Sequence, residues 1–286
     1  MSFKTEKEIV NCLDPVTDDQ YKGITKSEFL CAIHDHAKEK EMKDFRLNLA
    51  AILLLSLINF SQMNAQTASN SNHSLNAHQQ SLARIVGLTT VGNLEQLKTE
   101  LATGLDAGMT INEIKEALVQ LYAYTGFPRS LNALTTFMTV VEERQSRGVK
   151  DVLGNEASPV SEHTSTKYET GKRTLQELTG KEEKTPTGVN AFAPAIDTFL
   201  KEHLFADIFS RDVLNARQRE FVTISALAAM TGVARQLQAH ISMGMNTGIS
   251  KEQISEIFSI IEKTIGKKEA DVARKALSQV VASTGK

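Results

Sequence analysis

The 286-residue sequence predicts an all-α protein built from two tandem helical repeats. Apolar residues recur at three- and four-residue spacing, which is typical of the buried face of a helix. Ser/Thr capping signals and glycine turns stand where such runs begin and end. The same pattern returns after 140 residues, which indicates an internal duplication. No stretch of useful length alternates polar and apolar residues in the way that a half-buried strand does.

The composition excludes nucleic-acid binding. The chain is 41% hydrophobic, which is enough to bury one large core or two ordinary ones. Its 32 Lys and Arg residues are balanced by 34 Asp and Glu residues, and it has no Trp. A protein that binds nucleic acid needs a basic surface, and this chain has a formal net charge of -2.

Residues 42–65 have the layout of a secretory signal peptide. Basic residues precede the apolar run 47–58, and a polar stretch that ends at the small residue Ala65 follows it. A transmembrane helix needs about twenty apolar residues, so the run is too short, and we expect no stable membrane span in the mature chain. A buried core helix is the alternative interpretation of this run.

The position of this signal predicts where the protein starts and where it functions. A signal peptide normally begins at the first methionine, so we expect translation to start at Met42 and residues 1–41 to be an N-terminal extension. The protein is then exported, to the periplasm or outside the cell; if the signal is not used, it is cytoplasmic. Both cysteines, Cys12 and Cys31, precede the signal, so the mature chain has no disulfide and no thiol nucleophile.

The alternative is a real cytoplasmic leader in residues 1–41. Cys31, His34 and His36 would then be candidate metal ligands. Three ligands without a fourth are a weak motif, and a charged helix surface is the better interpretation. We therefore expect no metal site.

The first repeat is predicted over residues 74–147. Thr110 and Glu113 form a capping box at the start of a helix, and Gly126 and Pro128 mark the turn into the next helix, which ends near Arg147. The helix before the capping box has one leucine-lined face, formed by Leu94, Leu97, Leu101 and Leu105.

The second repeat is predicted over residues 193–286, and residues 148–192 are predicted as the linker. A shift of 140 residues without a gap aligns glycines, caps and amphipathic helices in the two copies. The aligned pairs include Gly92 with Gly232, Gly104 with Gly244, Glu116 with Glu256 and Gly126 with Gly266. The linker contains most of the polar, Gly-, Pro- and Thr-rich sequence.

The second copy resembles the carboxymuconolactone decarboxylase family, which includes the alkylhydroperoxidase D-like proteins. It carries the family's R-x-R-E segment at Arg217 to Glu220, its Q-L-x-x-H segment ending at His240, and its N-x-G turn at Asn246. The first copy carries the Y-x-G-x-P segment that begins at Tyr124. The resemblance implies two alkylhydroperoxidase D-like helical repeats.

The two copies retain different parts of this pattern. In the 140-residue alignment, Gln80 stands opposite Glu220 and Glu100 stands opposite His240, whereas Thr264 stands opposite Tyr124. We expect one composite site where the copies meet. The alternative is that one or both sites are inactive.

The resemblance implies a lyase that acts on a small carboxylated, lactone-like molecule with no metal and no organic cofactor. The peroxidase branch of the family works through a C-x-x-C pair, which this sequence lacks, so an alkylhydroperoxidase-type antioxidant is the less favoured function. A non-catalytic protein on the same fold, either a scaffold or a small-ligand binder, is the alternative. Single-copy relatives assemble into trimers and hexamers, so we also expect a homo-oligomer.

The resemblance also implies roles for individual residues. A histidine suits proton delivery to carbon, so His240 is the candidate donor, Glu220 its orienting carboxylate, and Tyr124 the donor to the developing oxyanion. The alternatives are a packing role for Tyr124 and an ordinary first-turn acid at Glu220. Three arginines are candidates to bind a substrate carboxylate, or else are solvated charges: Arg217, Arg219 and Arg129.

Overall fold

The computed structural model describes residues 74–159 and 165–284, which belong to one unit of the chain. The predicted extension, signal peptide and leader cluster lie outside the described residues, so their interpretation stays a prediction. Over the described ranges the protein is all-α and contains no strand. None of the described helices is both long enough and apolar enough to span a membrane.

The first repeat forms five helices. They are α1 (Ala77–Val91), α2 (Leu94–Asp106), α3 (Ile111–Gln120), the short α4 (Tyr122–Thr125) and α5 (Phe127–Ser146). The predicted capping box starts α3, because the Thr110 hydroxyl accepts from the Glu113 amide and the Glu113 carboxylate accepts from the Thr110 amide. Leu97, Leu101 and Leu105 are buried as predicted, but Leu94, the first residue of α2, is 36% exposed.

Four helices lie between α5 and the helices that match the first copy: α6 (Lys167–Thr179), α7 (Val189–Phe192), α8 (Pro194–Thr198) and α9 (Phe199–Ile208), which has π-helical winding. Of these, α8 and α9 fall within the predicted second repeat, residues 193–286. The helices that match the first copy are α10 (Ala216–Ala228), α11 (Ala234–Asn246), α12 (Lys251–Thr264) and α13 (Lys267–Thr284). The predicted linker therefore contains two helices, α6 and α7, of which α6 packs closely on α9. Only glycine fits at Gly171, because a Cβ there would lie 1.7 Å from the Lys201 carbonyl oxygen.

The helix caps correct the alignment of the two repeats. Asn76 and Asn215 cap α1 and α10 with the same capping box, and these residues are 139 positions apart. The glycines that follow, Gly92 and Gly232, are 140 positions apart, so the second repeat has one additional residue between its cap and this glycine. The gapless alignment is therefore wrong within α1.

The correction changes which residues are equivalent. Ser81, not Gln80, occupies the position of Glu220, and Gln80 occupies the position of Arg219. The pairing of Glu100 with His240 and of Tyr124 with Thr264 is unchanged, because the helices that follow keep the offset of 140.

The two repeats share one apolar core. Helix α1 of the first repeat packs against α10 and α12 of the second, and buried side chains of both repeats form a single cluster. A second, smaller cluster joins α6 and α9 to Met243 of α11 and to Tyr122 and Tyr124 of α4. Tyr124 contacts both clusters, so it lies where the two cores meet.

Candidate active site

His240 and Glu220 form a buried hydrogen-bonded pair between two helices of the second repeat. The Nδ1 atom of His240, on α11, lies 2.9 Å from Oε2 of Glu220, on α10. Glu220 is fully buried and His240 is 8% exposed. A carboxylate at Nδ1 fixes the orientation of the imidazole and leaves Nε2 as the nitrogen that can exchange a proton with a ligand.

Tyr124 joins this pair from the first repeat. Its ring meets the His240 ring edge to face, with a centroid separation of 5.8 Å. The ring is partly exposed, but the hydroxyl is buried; it forms no hydrogen bond of normal geometry with the described residues, although the Thr223 side chain lies close enough to act on it. Burial and the nearby Glu220 carboxylate raise the pKa of Tyr124 far above its usual value, so the hydroxyl stays protonated and can donate.

A second polar atom at the same place also lacks a partner. Oε1 of Glu220 is buried without a hydrogen bond, although Oε2 of the same carboxylate contacts His240. A buried polar atom without a partner costs about 1–3 kcal/mol of stability, so such atoms are rare unless a function retains them. The three residues predicted as catalytic thus lie together, with two polar atoms unpaired.

Arg219 is buried, so the interpretation of this residue as a solvated charge is wrong. Its Nη2 contacts Glu116 Oε1 at 2.8 Å and the Arg211 carbonyl at 2.6 Å, and its Nη1 contacts Gln120 Oε1 at 3.0 Å. Burial lowers the pKa of Arg219, and Glu116 opposes that shift. Glu116 and Gln120 belong to α3, so this cation ties the first repeat to the second.

The other two predicted arginines make no described contact with the pair. Arg217 is half-buried and donates to Gln253 Oε1 at 2.7 Å and to the Gly248 carbonyl at 3.3 Å, within its own repeat. Arg129 is exposed in the first turn of α5. No hydrogen bond, ion pair or ring contact of the described residues joins Arg217 or Arg129 to His240, Glu220 or Tyr124.

Sequence reasoning missed the residues that connect the repeats next to the site. Glu116 binds both Arg219 and Arg211 at 2.8 Å, and Gln120 binds Arg219 and Thr223. The sequence contained one signal for this connection between the repeats, the alignment of Glu116 with Glu256. In the structure each of these glutamates contacts the other repeat. Glu256 accepts from the Leu75 amide at 2.7 Å and from Gln80 at 3.3 Å.

The equivalent position in the first repeat has different chemistry. Glu100, opposite His240, forms an ion pair with Arg84 at 2.8 Å, and Ser81, opposite Glu220, accepts a hydrogen bond from the same arginine. Thr264, in the second repeat, occupies the position equivalent to Tyr124 in the first repeat. Within the described ranges, no group of three or more His, Cys, Asp or Glu side chains is placed to hold a metal ion.

Comparison with known proteins identifies the family. The model of the carboxymuconolactone decarboxylase family matches residues 59–137 and residues 194–279. The first match begins within the predicted signal peptide, residues 42–65, whose cleavage stays a prediction. A search of curated proteins finds no match to this chain. Since the family model matches the chain twice and covers more than half of it, the chain is a tandem two-copy member of the carboxymuconolactone decarboxylase family.

Proposed function

We propose that the chain is a cofactor-independent carboxy-lyase that decarboxylates a small carboxylated, lactone-like molecule. The observation that carries the proposal is the buried His240–Glu220 pair with the Tyr124 ring against it. This arrangement offers a proton donor, a carboxylate that orients it and a neutral hydroxyl in one enclosed place. It contains no thiol pair, so it gives no support to peroxidase chemistry.

The reaction requires one bond to break and one to form. The bond between the ring carbon and the carboxylate breaks, CO2 leaves, and the electron pair passes into the conjugated carbonyl of the lactone. The resulting enolate oxygen accepts a hydrogen bond from Tyr124. Nε2 of His240 then delivers its proton to carbon, while Glu220 stabilises the imidazole at Nδ1.

Arg219 is the arginine we propose to act on the substrate's negative charge. Its Nε is buried without a hydrogen-bond partner, and its charge acts on Tyr124. Its Nη2 already donates to Glu116 and to the Arg211 carbonyl. Arg219 could bind a substrate carboxylate through both Nε and Nη2 only if those two contacts shifted. We therefore propose electrostatic stabilisation by Arg219 rather than a bidentate grip.

The experiment uses carboxymuconolactone carrying 13C in the carboxylate, with the purified protein in D2O. We expect release of labelled CO2 and incorporation of one deuterium into the lactone. Replacement His240→Gln is expected to lower the rate about 10²–10⁴-fold, the usual contribution of a positioned proton donor. His78→Gln, a change on α1 away from the pair, is the matched control and should retain activity.

Two results would contradict the proposal. One is full turnover by the His240→Gln protein, which would remove the proposed proton donor. The other is binding of carboxymuconolactone with no release of CO2, which would favour the second candidate, a small-ligand-binding protein. The observation that favours this candidate is the replacement of the acid–base pair by the Arg84–Glu100 ion pair in the first repeat.

We also propose that the chain forms a homo-oligomer and that it is exported. The oligomer is supported by exposed apolar side chains on α5 and on the α7–α9 segment, since contiguous apolar surface is typical of an interface. The exposed residues are Phe127, Leu131 and Met138 on α5, and Val189, Phe192, Ile196 and Phe199 on α7–α9. Export predicts that the native mature chain begins near Gln66, which N-terminal sequencing of the envelope fraction tests.

A further inference from the structure

Gln120, at the end of α3, connects the first repeat to the helix that carries Glu220. Its Nε2 donates to the Arg219 carbonyl at 2.9 Å and to the Thr223 hydroxyl at 3.0 Å, and its Oε1 accepts from Arg219 Nη1 at 3.0 Å. Gln120, Arg219 and Thr223 are all fully buried. Both ends of the amide are thus used to hold one turn of α10.

Glu220 lies in the turn of α10 that Gln120 holds, between Arg219 and Thr223. In the first repeat, Tyr124 lies about one helical turn after Gln120. Gln120 and Tyr124 are four residues apart across the α3–α4 junction, where Leu121 keeps helical backbone angles. Residues four apart in a helix lie on the same face. Gln120 therefore fixes the face that brings Tyr124 against His240.

The internal repeat shows which cross-repeat contacts the fold needs. Glu116 and Glu256 both reach the start of the first helix of the other repeat, where Glu116 binds Arg219 and Glu256 binds Gln80. Arg219 and Gln80 are equivalent in the corrected alignment. This contact is present on both sides of the molecule, so we attribute it to the fold.

The hydrogen bonds that Gln120 makes across the repeats are present at one of the two junctions. Its equivalent in α12 is Ile260, a buried apolar residue that cannot form the contact, and the equivalent of Tyr124 there is Thr264. The amide and the tyrosine therefore occur together, next to the His240–Glu220 pair, and are both replaced at the other junction. This co-occurrence connects Gln120 with the site rather than with the duplicated fold.

We infer that Gln120 is a positioning residue of the proposed active site, which holds the Tyr124 hydroxyl against the Glu220–His240 pair. The inference about turnover rests on the proposed function; the inference about the position of Tyr124 does not. Gln120 acts through Tyr124 and does not itself contact the reacting atoms.

The first test measures position without any substrate. In the full chain with 13C-labelled Tyr and His rings, the NMR cross-peak between the Tyr124 and His240 rings is assigned with Tyr124→Phe and His240→Gln. Gln120→Met preserves side-chain volume and removes the hydrogen bonds, and we expect this cross-peak to be lost or greatly weakened. Gln80→Met, which breaks the Gln80–Glu256 hydrogen bond at the other junction, is the control for loss of a glutamine contact between the repeats and should retain the cross-peak.

A second variant keeps the test decisive if Gln120→Met does not fold. Gln120→Ile places at this junction the residue that α12 has at the equivalent position, Ile260, and removes the same hydrogen bonds, so weakening of the cross-peak is again expected. An unchanged cross-peak in whichever variant folds would overturn the inference.

The second test is a double-mutant cycle on carboxymuconolactone turnover. We expect Gln120→Met to lower kcat about tenfold with little change in KM, because a displaced donor chiefly affects the transition state. In the Tyr124→Phe background the same change should have almost no further effect. Equal losses of kcat in both backgrounds would show a general structural role and overturn the inference. If no turnover is found at all, the proposed function fails while the NMR result still decides the position of Tyr124.

Discussion

The two junctions between the repeats share a framework and differ in chemistry. At each, a glutamate reaches from one repeat to the start of the first helix of the other, Glu116 in one case and Glu256 in the other. Beside Glu116 lie the His240–Glu220 pair and Tyr124, whereas at the corresponding place beside Glu256 an ion pair joins Arg84 and Glu100. The difference separates what the duplicated fold requires from what a site requires.

The ionic character of the two junctions also differs. Glu116 is 4% exposed and faces two arginines, while Glu256 is half-buried and faces a backbone amide and Gln80. Burial alone would raise the pKa of Glu116, but hydrogen bonds and charge from Arg211 and Arg219 outweigh it and hold that pKa below its usual value. The junction that carries the candidate site is therefore the more strongly charged of the two.

Among the changes that test this comparison of the junctions, the largest expected effect comes from removing the charge of the orienting carboxylate. Glu220→Gln should lower carboxymuconolactone turnover roughly 10²-fold, because the imidazole loses the carboxylate that orients it for proton delivery. The matched change in the other repeat, Glu100→Gln, should leave turnover nearly unchanged, because Glu100 pairs with Arg84 there. Similar losses in the two variants would show that the comparison of the junctions is wrong.

The next effect concerns stability. Glu116→Gln leaves the fully buried Arg219 without its carboxylate and should lower the free energy of unfolding by about 3 kcal/mol, as expected when one partner of a buried ion pair is removed. Glu256→Gln breaks hydrogen bonds to neutral groups and should cost about 1 kcal/mol. Urea unfolding of both variants at neutral pH measures the difference, and equal costs would remove the proposed asymmetry.

The pH dependence of unfolding follows from the same glutamate. A carboxylate whose pKa is lower in the folded protein adds stability above its unfolded pKa of 4.5, and this stability is lost as the pH falls through the folded value. The free energy of unfolding should therefore fall as acid is added below that pH. In the Glu116→Gln variant, the free energy of unfolding should lack this part of its dependence on pH. A variant with the same acid slope as the native chain would show that Glu116 is not the titrating group.

A smaller effect is expected from the paired glycines Gly244 and Gly104. A methyl at Gly244 would lie 2.6 Å from Ile224 Cδ1 and 3.8 Å from the Cβ of Glu220, so Gly244→Ala should cost about 1–3 kcal/mol and disturb the pair. A methyl at Gly104 would lie 3.0 Å from Ile85 Cδ1 and 3.1 Å from the sulfur of Met109, so both contacts are looser than the one at Gly244 and involve the ends of flexible side chains. The higher helix propensity of alanine, about 1 kcal/mol, should offset those contacts, which thermal unfolding can check.

The smallest effect on the folded chain is expected at its exposed aromatic side chains. Phe127, in the first repeat, is 63% exposed, and Phe192, before the second, is 89% exposed. Phe192→Ser should change the free energy of unfolding by less than about 0.5 kcal/mol. Phe127→Ser should cost about 0.5–1.5 kcal/mol, because the Phe127 ring stacks on Tyr122 with a centroid separation of 4.5 Å. If these faces form the proposed oligomer, light scattering should show weaker association in each variant. Unchanged association in both would exclude these faces as the interface.

Much of the fold could be predicted from the sequence, because helix caps and apolar spacing are local signals. The capping box at Thr110, the turn at Gly126 and the duplication all leave such signals. The one-residue shift in α10 was not found by sliding the sequence, since the pairs that align at 140 begin at Gly92 and Gly232, after the shift. It became visible through the side-chain contacts of Asn76 and Asn215 with the first turns of their helices.

The site was predictable only in part. The complementary divergence of the copies correctly indicated that Tyr124 would meet His240 and Glu220, although the role of each stays a proposal. The burial of Arg219 was not predictable, because its partners Glu116 and Gln120 lie about a hundred positions earlier in the chain. Charged residues at a helix start are usually solvated, and only the tertiary contact reverses that expectation.

The single core shared by the repeats makes them inseparable in folding as well as in chemistry. Helix α1 packs against two helices of the other copy, so cutting the chain between the repeats would expose apolar surface on both halves. Unfolding is then expected as one cooperative transition, and damage to either copy is felt by the whole protein. The repeat that carries no histidine pair therefore contributes both half of the shared core and the Tyr124 ring of the candidate site, and neither half of the chain is expected to be stable alone.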